Sequence, residues 1–203
     1  MREDFENPDW KETATNPHDT PLSATGRRQA LDVALALHGA DIAHIFSSPF
    51  LRALETAHPL AAAAGRPILI EPGFSEWLNP AWFASPPRWL PMPYVTTLFS
   101  SVDPAYQPLV VPGFPEHSET DEVFKRVGKT LDLLFARYPE GNIAVFAHGS
   151  PLGQAIAGLI GTLEGIDLRT AAITQIALGE ESPRLVSSDS GHLHDTDAAI
   201  RFH

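Results

Sequence analysis

The sequence predicts a single α/β domain, a sandwich whose sheet is mostly parallel and ends in an antiparallel edge. Short apolar segments of strand character alternate with segments of helical periodicity, and glycine or proline stands at most of the transitions. Alternating strands and helices are typical of parallel βαβ units. Two further strand-like segments near the carboxyl end have no helix between them, which indicates the antiparallel edge. A length of 203 residues suits one domain covering 1–203.

The elements follow in order along the chain. A polar opening segment with three prolines, 1–22, predicts irregular structure. The predicted strands cover 43–48, 67–71, 142–147, 172–178 and 183–188. The predicted helices begin near Ser23, Pro49, Ser118 and Pro151, where a capping residue or a proline precedes an apolar stripe.

One long segment breaks this alternation. From Gly73 to His117 the periodicity is lost, and proline and aromatic residues are frequent. We interpret about 77–117 as an insertion, a long loop with one short helix. It lies between the second predicted strand and the next helix, and it is therefore a candidate for selecting the ligand of any site at that strand end.

Composition excludes several classes of function. A formal net charge of −11 and a pI near 5.1 disfavour binding to nucleic acid and to anionic membranes. The chain has no cysteine, so disulfides, thiolate metal sites and cysteine nucleophiles are excluded. The first residues lack the pattern of a signal peptide, and no segment is long and apolar enough for a membrane helix. These features predict a soluble, cytoplasmic protein.

Three polar side chains follow the ends of three predicted strands. Arg52 lies in the first helical turn after the first strand, Glu76 shortly after the second, and His148 directly after the third. His148 and Gly149 also stand where a helix begins, and free N–H groups there favour an anion. If the strands are parallel neighbours, the three side chains meet. Arg52 and His148 would then bind a phosphoryl group, while Glu76 would carry a proton to the leaving oxygen.

Each of these residues also has an ordinary structural interpretation when it is taken alone. Arg52 would be a surface helix residue, Glu76 a solvated loop carboxylate, and His148 a packed core histidine. Their recurrence at equivalent strand ends favours a shared site. A metal site at His192, His194 and Asp195 is disfavoured, because histidines two residues apart near a chain end are usually surface or edge residues.

Three segments resemble the histidine phosphatase superfamily, the phosphoglycerate mutase-like proteins. They are DTPLSATGRRQA, IFSSPFLRALETA and IAVFAHGSPLG. The segments FSEWLNPAWF, VDPAYQP and HSETDEVFKRV are similar to the branch of suppressor of T-cell receptor signalling and ecdysteroid-phosphate phosphatases. The resemblance implies a three-layer α/β/α sandwich and a phosphohistidine intermediate, without metal or other cofactor. It implies that Arg52 is a phosphate-binding arginine, Glu76 the proton donor, and His148 the second histidine at the phosphoryl group.

The resemblance also identifies what the chain lacks. Family members carry Arg-His-Gly after their first strand, and that histidine is the nucleophile; here Met1 stands where the residue after the glycine is expected. The nucleophile and the first central strand would therefore lie just upstream, and the chain as given is predicted to be inactive. One alternative is a phosphohydrolase with a shortened amino terminus; another is a module that binds phosphate esters or a partner without turnover. The first is favoured, because removing a central strand leaves neighbouring main-chain groups unpaired, at about 1–3 kcal/mol each.

The expected ligand is a small phosphomonoester. Several aromatic residues of the insertion, Trp77 and Trp82 among them, would form an apolar wall that favours an aryl or otherwise hydrophobic ester. The alternative is that these aromatic residues only pack the insertion against the core. Phosphoglycerate mutase activity is less favoured, since Arg88 is the one basic residue of the insertion that could bind a second acidic group.

Overall fold

The computed structural model describes residues 1–179 and 181–195. Its α-helices are α1 (Glu3–Glu6), α2 (Trp10–Thr13), α3 (Ala24–Ala36), α4 (Leu51–Ala64), α5 (Met92–Leu98), α6 (Glu122–Arg137) and α7 (Gly149–Ile160). Its strands are β1 (Ile42–Ser47), β2 (Ile68–Ile70), β3 (Asn142–Phe146), β4 (Ile173–Ala177) and β5 (Arg184–Asp189). Short 3-10 helices cover Pro72–Phe74 and Ser118–Thr120.

The central sheet is parallel, with β1 between β2 and β3. Its register places Phe46 beside Leu69 on one side and beside Val145 on the other. β4 and β5 pair antiparallel and form a two-stranded sheet of their own within the described residues. The predicted parallel sheet and closing antiparallel pair are therefore confirmed. Because the three central strands are parallel, their carboxyl ends lie at one edge of the sheet.

The sheet separates two hydrophobic clusters, which makes the fold a three-layer α/β/α sandwich. Ile45 and Ile68 pack with α3, α4 and α5 on one face. Phe46 and Leu69, the next residue in each strand, pack with α6 and α7 on the other face. This alternation is the period of a strand covered on both faces. Each fully buried side chain of this kind contributes about 1.5–3 kcal/mol of transfer free energy.

Helix ends agree with the sequence in part. The Ser23 hydroxyl caps α3 by accepting the Gly26 N–H at 3.1 Å, as predicted. The prediction that Ser118 caps the third long helix is wrong, since a 3-10 turn intervenes and α6 begins after Asp121 in a left-handed conformation. α7 begins two residues earlier than predicted, so His148 occupies its N-cap position. The prediction of irregular structure over 1–22 missed α1 and α2.

The insertion is attached to the sheet through a buried carboxylate at the end of β2. Glu71 is fully buried and accepts hydrogen bonds from the Tyr106 hydroxyl and the Leu109 N–H, both at 2.7 Å. It also accepts the N–H groups of Gly73 and Val110. A carboxylate is strongly stabilised when it receives several N–H bonds. Glu71 therefore connects the turn that precedes Glu76 to the segment 106–110 of the insertion.

Candidate active site

The three predicted site residues leave the carboxyl edge of the parallel sheet. β1 leads through Ser48 and Phe50 into α4, whose first turn carries Arg52. β2 leads into the 3-10 turn, and Glu76 follows it. β3 leads directly to His148 at the start of α7. The strand-helix connections therefore place an arginine, a carboxylate and a histidine at one corner.

The Glu76 carboxylate lies between the other two side chains. Its Oε2 atom is 3.3 Å from Arg52 Nη2 and 3.6 Å from His148 Nδ1. Arg52 is 9% exposed and His148 6% exposed, so both face a largely desolvated corner. The structure thus brings together the three residues that the sequence singled out, and an anionic group already occupies the position between the two nitrogen-bearing side chains.

His148 is held by a hydroxyl and an aromatic ring. Its Nε2 lies 2.7 Å from the Ser48 hydroxyl, and its ring meets that of Phe50 edge-on with centroids 5.0 Å apart. Burial lowers the pKa of His148 well below its usual 6.5, and the charges of Arg52, Arg126 and Arg2 lower it further. The imidazole is therefore neutral at neutral pH and acts through a directed N–H rather than as a fixed cation.

Arg52 is surrounded by Phe50 and a buried aspartate. Its guanidinium carbon lies 4.6 Å from the centroid of the Phe50 ring, within cation–π range. Asp19, 5% exposed, accepts the Leu51 N–H at 2.7 Å through Oδ1. Within the described part of the chain its Oδ2 atom is buried without a hydrogen-bond partner. Burial raises the pKa of Asp19 to about 6, although the Leu51 N–H and the Arg52 charge oppose this rise.

Sequence reasoning assigned no role to Asp19, Ser48 or Arg126. Asp19 and Ser48 lie within the segments DTPLSATGRRQA and IFSSPFLRALETA, but the resemblance was used to assign a role only to Arg52 in them. Arg126 belongs to an amphipathic helix, in which an arginine is expected on the exposed face, but it is only 6% exposed. Its burial depends on how the Glu76 loop packs on α6, which a local pattern does not encode.

The other predicted substrate-binding residues border the same loop. Gly149 is the first residue of α7 and adds a main-chain N–H next to His148. Trp77 follows Glu76 and meets Trp82 edge-on, with ring centroids 5.1 Å apart. Trp82 is 53% exposed and presents apolar surface. Phe83, by contrast, is buried against Phe50, as the packing alternative expected.

Neither a metal cluster nor a membrane helix was found in the part of the chain that the structure describes. No group of three histidine, aspartate or glutamate residues there could hold an ion. His192 contacts the carbonyl of Ala171 at 3.0 Å, and His194 pairs with Asp32 on α3. No helix among the described residues is long and apolar enough to span a bilayer.

The layered fold and this corner define a phosphoglycerate mutase-like protein. The family model of the histidine phosphatase superfamily (branch 1) matches residues 7–190. The chain therefore belongs to the histidine phosphatase superfamily, which confirms the resemblance seen in its sequence.

Individual relatives share parts of the chain. Ubiquitin-associated and SH3 domain-containing protein B of Mus musculus is 28% identical over 152 residues, 70% of this chain and 24% of that protein. This chain thus spans about a quarter of that relative's length. The probable phosphoglycerate mutase GpmB of Yersinia enterocolitica is 26% identical over 191 residues, 86% of this chain and 84% of that protein.

Two solved structures show the same fold. The ecdysone phosphate phosphatase of Bombyx mori, in complex with tungstate, is 22% identical and has a TM-score of 0.56, covering 92% of this chain and 70% of that one. The phosphoserine phosphatase of Entamoeba histolytica, in complex with 3-phosphoglyceric acid, is 23% identical and has a TM-score of 0.61, covering 89% and 90%.

Proposed function

We propose that the protein is a phosphomonoester hydrolase of the histidine phosphatase type. The observation that supports this most directly is the Glu76 carboxylate between Arg52 and His148. A guanidinium and an imidazole that share a desolvated corner form an anion site, and there an incoming phosphoryl group competes with the carboxylate. When the carboxylate is displaced, it stays adjacent to the phosphoryl group, which is the position that proton transfer requires.

The proposed reaction is a double displacement through a phosphohistidine. When the phosphoryl group displaces it, the Glu76 carboxylate takes up one proton from water. The nucleophilic histidine, contributed by residues upstream of Met1, attacks phosphorus, and the bond to the leaving oxygen breaks as Glu76 protonates that oxygen. Water then attacks the phosphohistidine and gives its proton to Glu76, which releases phosphate and restores both residues. Arg52 and His148 bind the non-bridging oxygens in both steps.

The tautomer of His148 follows from its neighbours in this proposal. We assign the Ser48 hydroxyl as the donor to Nε2, which leaves the proton on Nδ1, the nitrogen nearer to Glu76. A neutral imidazole with Nδ1–H donates to a phosphoryl oxygen and does not need to be protonated first. Ser48 therefore sets the orientation in which His148 contributes.

In this proposal, an upstream segment adds a strand to the central sheet beside β3. β3 pairs with β1 on one side, and among the described residues β4 and β5 pair with each other. A further strand between β3 and the antiparallel pair would join them into one sheet, and it would deliver its last residues to the corner of Arg52 and His148. The first check is the coding sequence before Met1, which we expect to encode Arg-His-Gly.

The direct experiment measures phosphate release by an extended chain, meaning this chain with added residues before Met1 that supply Arg-His-Gly. We expect turnover of simple phosphomonoesters by the extended chain and none by Met1–His203 alone. Turnover by the shorter chain would show that another group is the nucleophile. Vanadate binding by an extended chain without any turnover would instead favour a module that binds phosphate esters.

The ligand class in this proposal is an aryl or otherwise hydrophobic phosphomonoester. Trp82 is half exposed, and with Trp77 it borders the loop that carries Glu76. The mutase alternative needs basic residues for a second acidic group, and Arg88 is the basic residue that the insertion offers. Comparing phosphate release from naphthyl phosphate and from 3-phosphoglycerate distinguishes a hydrophobic ester from a phosphoglycerate as the ligand. Preference for 3-phosphoglycerate would contradict the proposal of a hydrophobic ester.

A further inference from the structure

Arg126 is an ion-pairing residue at a position where α6 meets the candidate active site. It is 6% exposed, and its partner Glu116, from the end of the insertion, is 3% exposed. We propose that Arg126 and Glu116 are positioning residues that hold the Glu76 carboxyl where it can protonate the leaving oxygen. This role rests on the function proposed above and assigns to these two residues a part in the acid step.

Arg126 binds the loop that carries Glu76 through three main-chain carbonyls. Nη1 donates to the carbonyl of Gly73 at 2.7 Å and to that of Ser75 at 3.0 Å. Nη2 donates to the carbonyl of Glu76 itself at 3.3 Å. The guanidinium is planar and carries five N–H donors in fixed directions, so it can hold several acceptors in one geometry.

Glu116 completes the attachment on the other side of Glu76. Its carboxylate receives Nε and Nη2 of Arg126, and its Oε2 also accepts the Leu78 N–H at 2.9 Å. Its main-chain carbonyl accepts the indole N–H of Trp77 at 3.0 Å. The pair therefore bonds the chain immediately before and immediately after Glu76.

Stability alone is a weak reason for this arrangement. A buried ion pair gains little over a well-packed apolar pair of similar volume, because both charges must be desolvated. An apolar pair would fill the space, but it could not bind the main-chain groups of Gly73, Ser75, Glu76 and Leu78. What the ion pair adds is a defined path for this loop.

Gly73 allows the loop to approach α6 closely enough for these bonds. A Cβ atom at Gly73 would lie 2.2 Å from Thr130 Oγ1 and 2.7 Å from Thr130 Cγ2. Thr130 is fully buried one turn after Arg126 and donates to the Arg126 carbonyl at 2.7 Å. A methyl group at position 73 would therefore push the loop away from the helix without altering Arg126 or Glu116.

The acid step is more sensitive to this displacement than phosphate binding is. A general acid must come within about 2.6–3.2 Å of its target, and a misplacement of about 1 Å can cost on the order of 100-fold in rate. Arg52 and His148 are placed by α4 and by the start of α7, so moving the Glu76 loop leaves them in position. Loss of the Arg126–Glu116 pair should therefore impair protonation of the leaving oxygen more than phosphate binding.

The test compares two esters of similar shape whose leaving groups differ in basicity. The p-nitrophenolate oxygen is weakly basic and leaves p-nitrophenyl phosphate with little protonation. The benzyl oxygen of benzyl phosphate is strongly basic and must be protonated as it leaves. In the extended chain, Arg126→Lys keeps the charge but cannot bridge three carbonyls. We expect kcat/KM for benzyl phosphate to fall roughly 30- to 100-fold, with less than about 5-fold loss for p-nitrophenyl phosphate and for vanadate affinity.

Matched variants make the outcome decisive. Arg137→Lys, at an exposed arginine on the same helix, should change neither ester, whereas Gly73→Ala should reproduce the selective loss. Glu116→Gln keeps the shape of the pair and replaces Arg126→Lys in the same comparison of the two esters if Arg126→Lys fails to fold. Equal losses on both esters, or loss of vanadate binding, would overturn the positioning role alone. An unsubstituted extended chain that hydrolyses neither ester would overturn the proposed function, and the positioning role with it.

Discussion

The buried Asp19 carboxyl should make the free energy of unfolding depend on pH. The carboxyl is 5% exposed, has one unpaired oxygen within the described residues, and has a pKa of about 6 in place of the usual 3.8. The folded protein therefore binds this proton more tightly than the unfolded chain does. As the pH rises from about 4 to about 6, the contribution of Asp19 to the free energy of unfolding falls, and it stays low above pH 6.

The magnitude follows from the difference between the two pKa values. About two pKa units at about 1.4 kcal/mol each amount to about 3 kcal/mol lost by pH 8, and about 2 kcal/mol of this loss develops between pH 4.5 and 8. Asp19→Asn removes the titration but keeps an oxygen that can accept the Leu51 N–H. Burying an amide adds a cost that does not vary with pH. The variant should therefore gain about 2 kcal/mol relative to the parent over that range.

Urea unfolding at a series of pH values measures this difference. The control is Asp132→Asn, at an exposed aspartate on α6. A difference between Asp19→Asn and the parent that stays constant from pH 4.5 to 8 would show that Asp19 is not desolvated in the folded protein. A difference of the opposite sign would show that the charge of Arg52 and the Leu51 N–H outweigh burial.

Three further predictions concern single side chains. Ser48→Ala leaves Nε2 of His148 without its partner, and we expect roughly a 10-fold fall in kcat/KM of the extended chain; unchanged turnover would remove Ser48 from the site. Glu71→Gln places an amide among N–H donors and Tyr106, and should lower the free energy of unfolding by about 2–4 kcal/mol in urea melts; a neutral outcome would refute the anchoring role. Trp82→Ala should lower kcat/KM for naphthyl phosphate about 3- to 10-fold and leave glycerol phosphate unchanged; equal effects would argue against an aromatic wall.

The sequence predicts the positions of the site residues where these depend on neighbouring strand ends and helix starts. Arg52 and His148 could be placed because each lies within a few residues of the end of a short apolar strand and at the start of a helix, and parallel strands bring those ends together. Glu76 could be placed relative to its strand because β2 ends at a glutamate and a proline turn. Elements of this kind need only neighbouring residues to be recognised.

The supporting residues could not be found in the same way. Arg126 has the spacing and charge of a surface helix residue, and only the inserted loop packed on α6 makes it buried. Glu71 looks like a strand-ending carboxylate, yet apart from Gly73 its partners lie more than thirty residues later in the chain, as the Tyr106 contact shows. Such roles depend on contacts between distant segments, which periodicity and capping patterns do not record.

In the proposed reaction, Glu76 carries the proton at a phosphate site formed with Arg52 and His148. The most direct measurement compares Glu76→Gln with the parent in the extended chain, for benzyl phosphate turnover and for vanadate affinity. We predict that turnover falls by about 100-fold or more while vanadate binds as tightly or more tightly, because no carboxylate then competes for Arg52. Undiminished turnover, or loss of vanadate binding together with turnover, would contradict it.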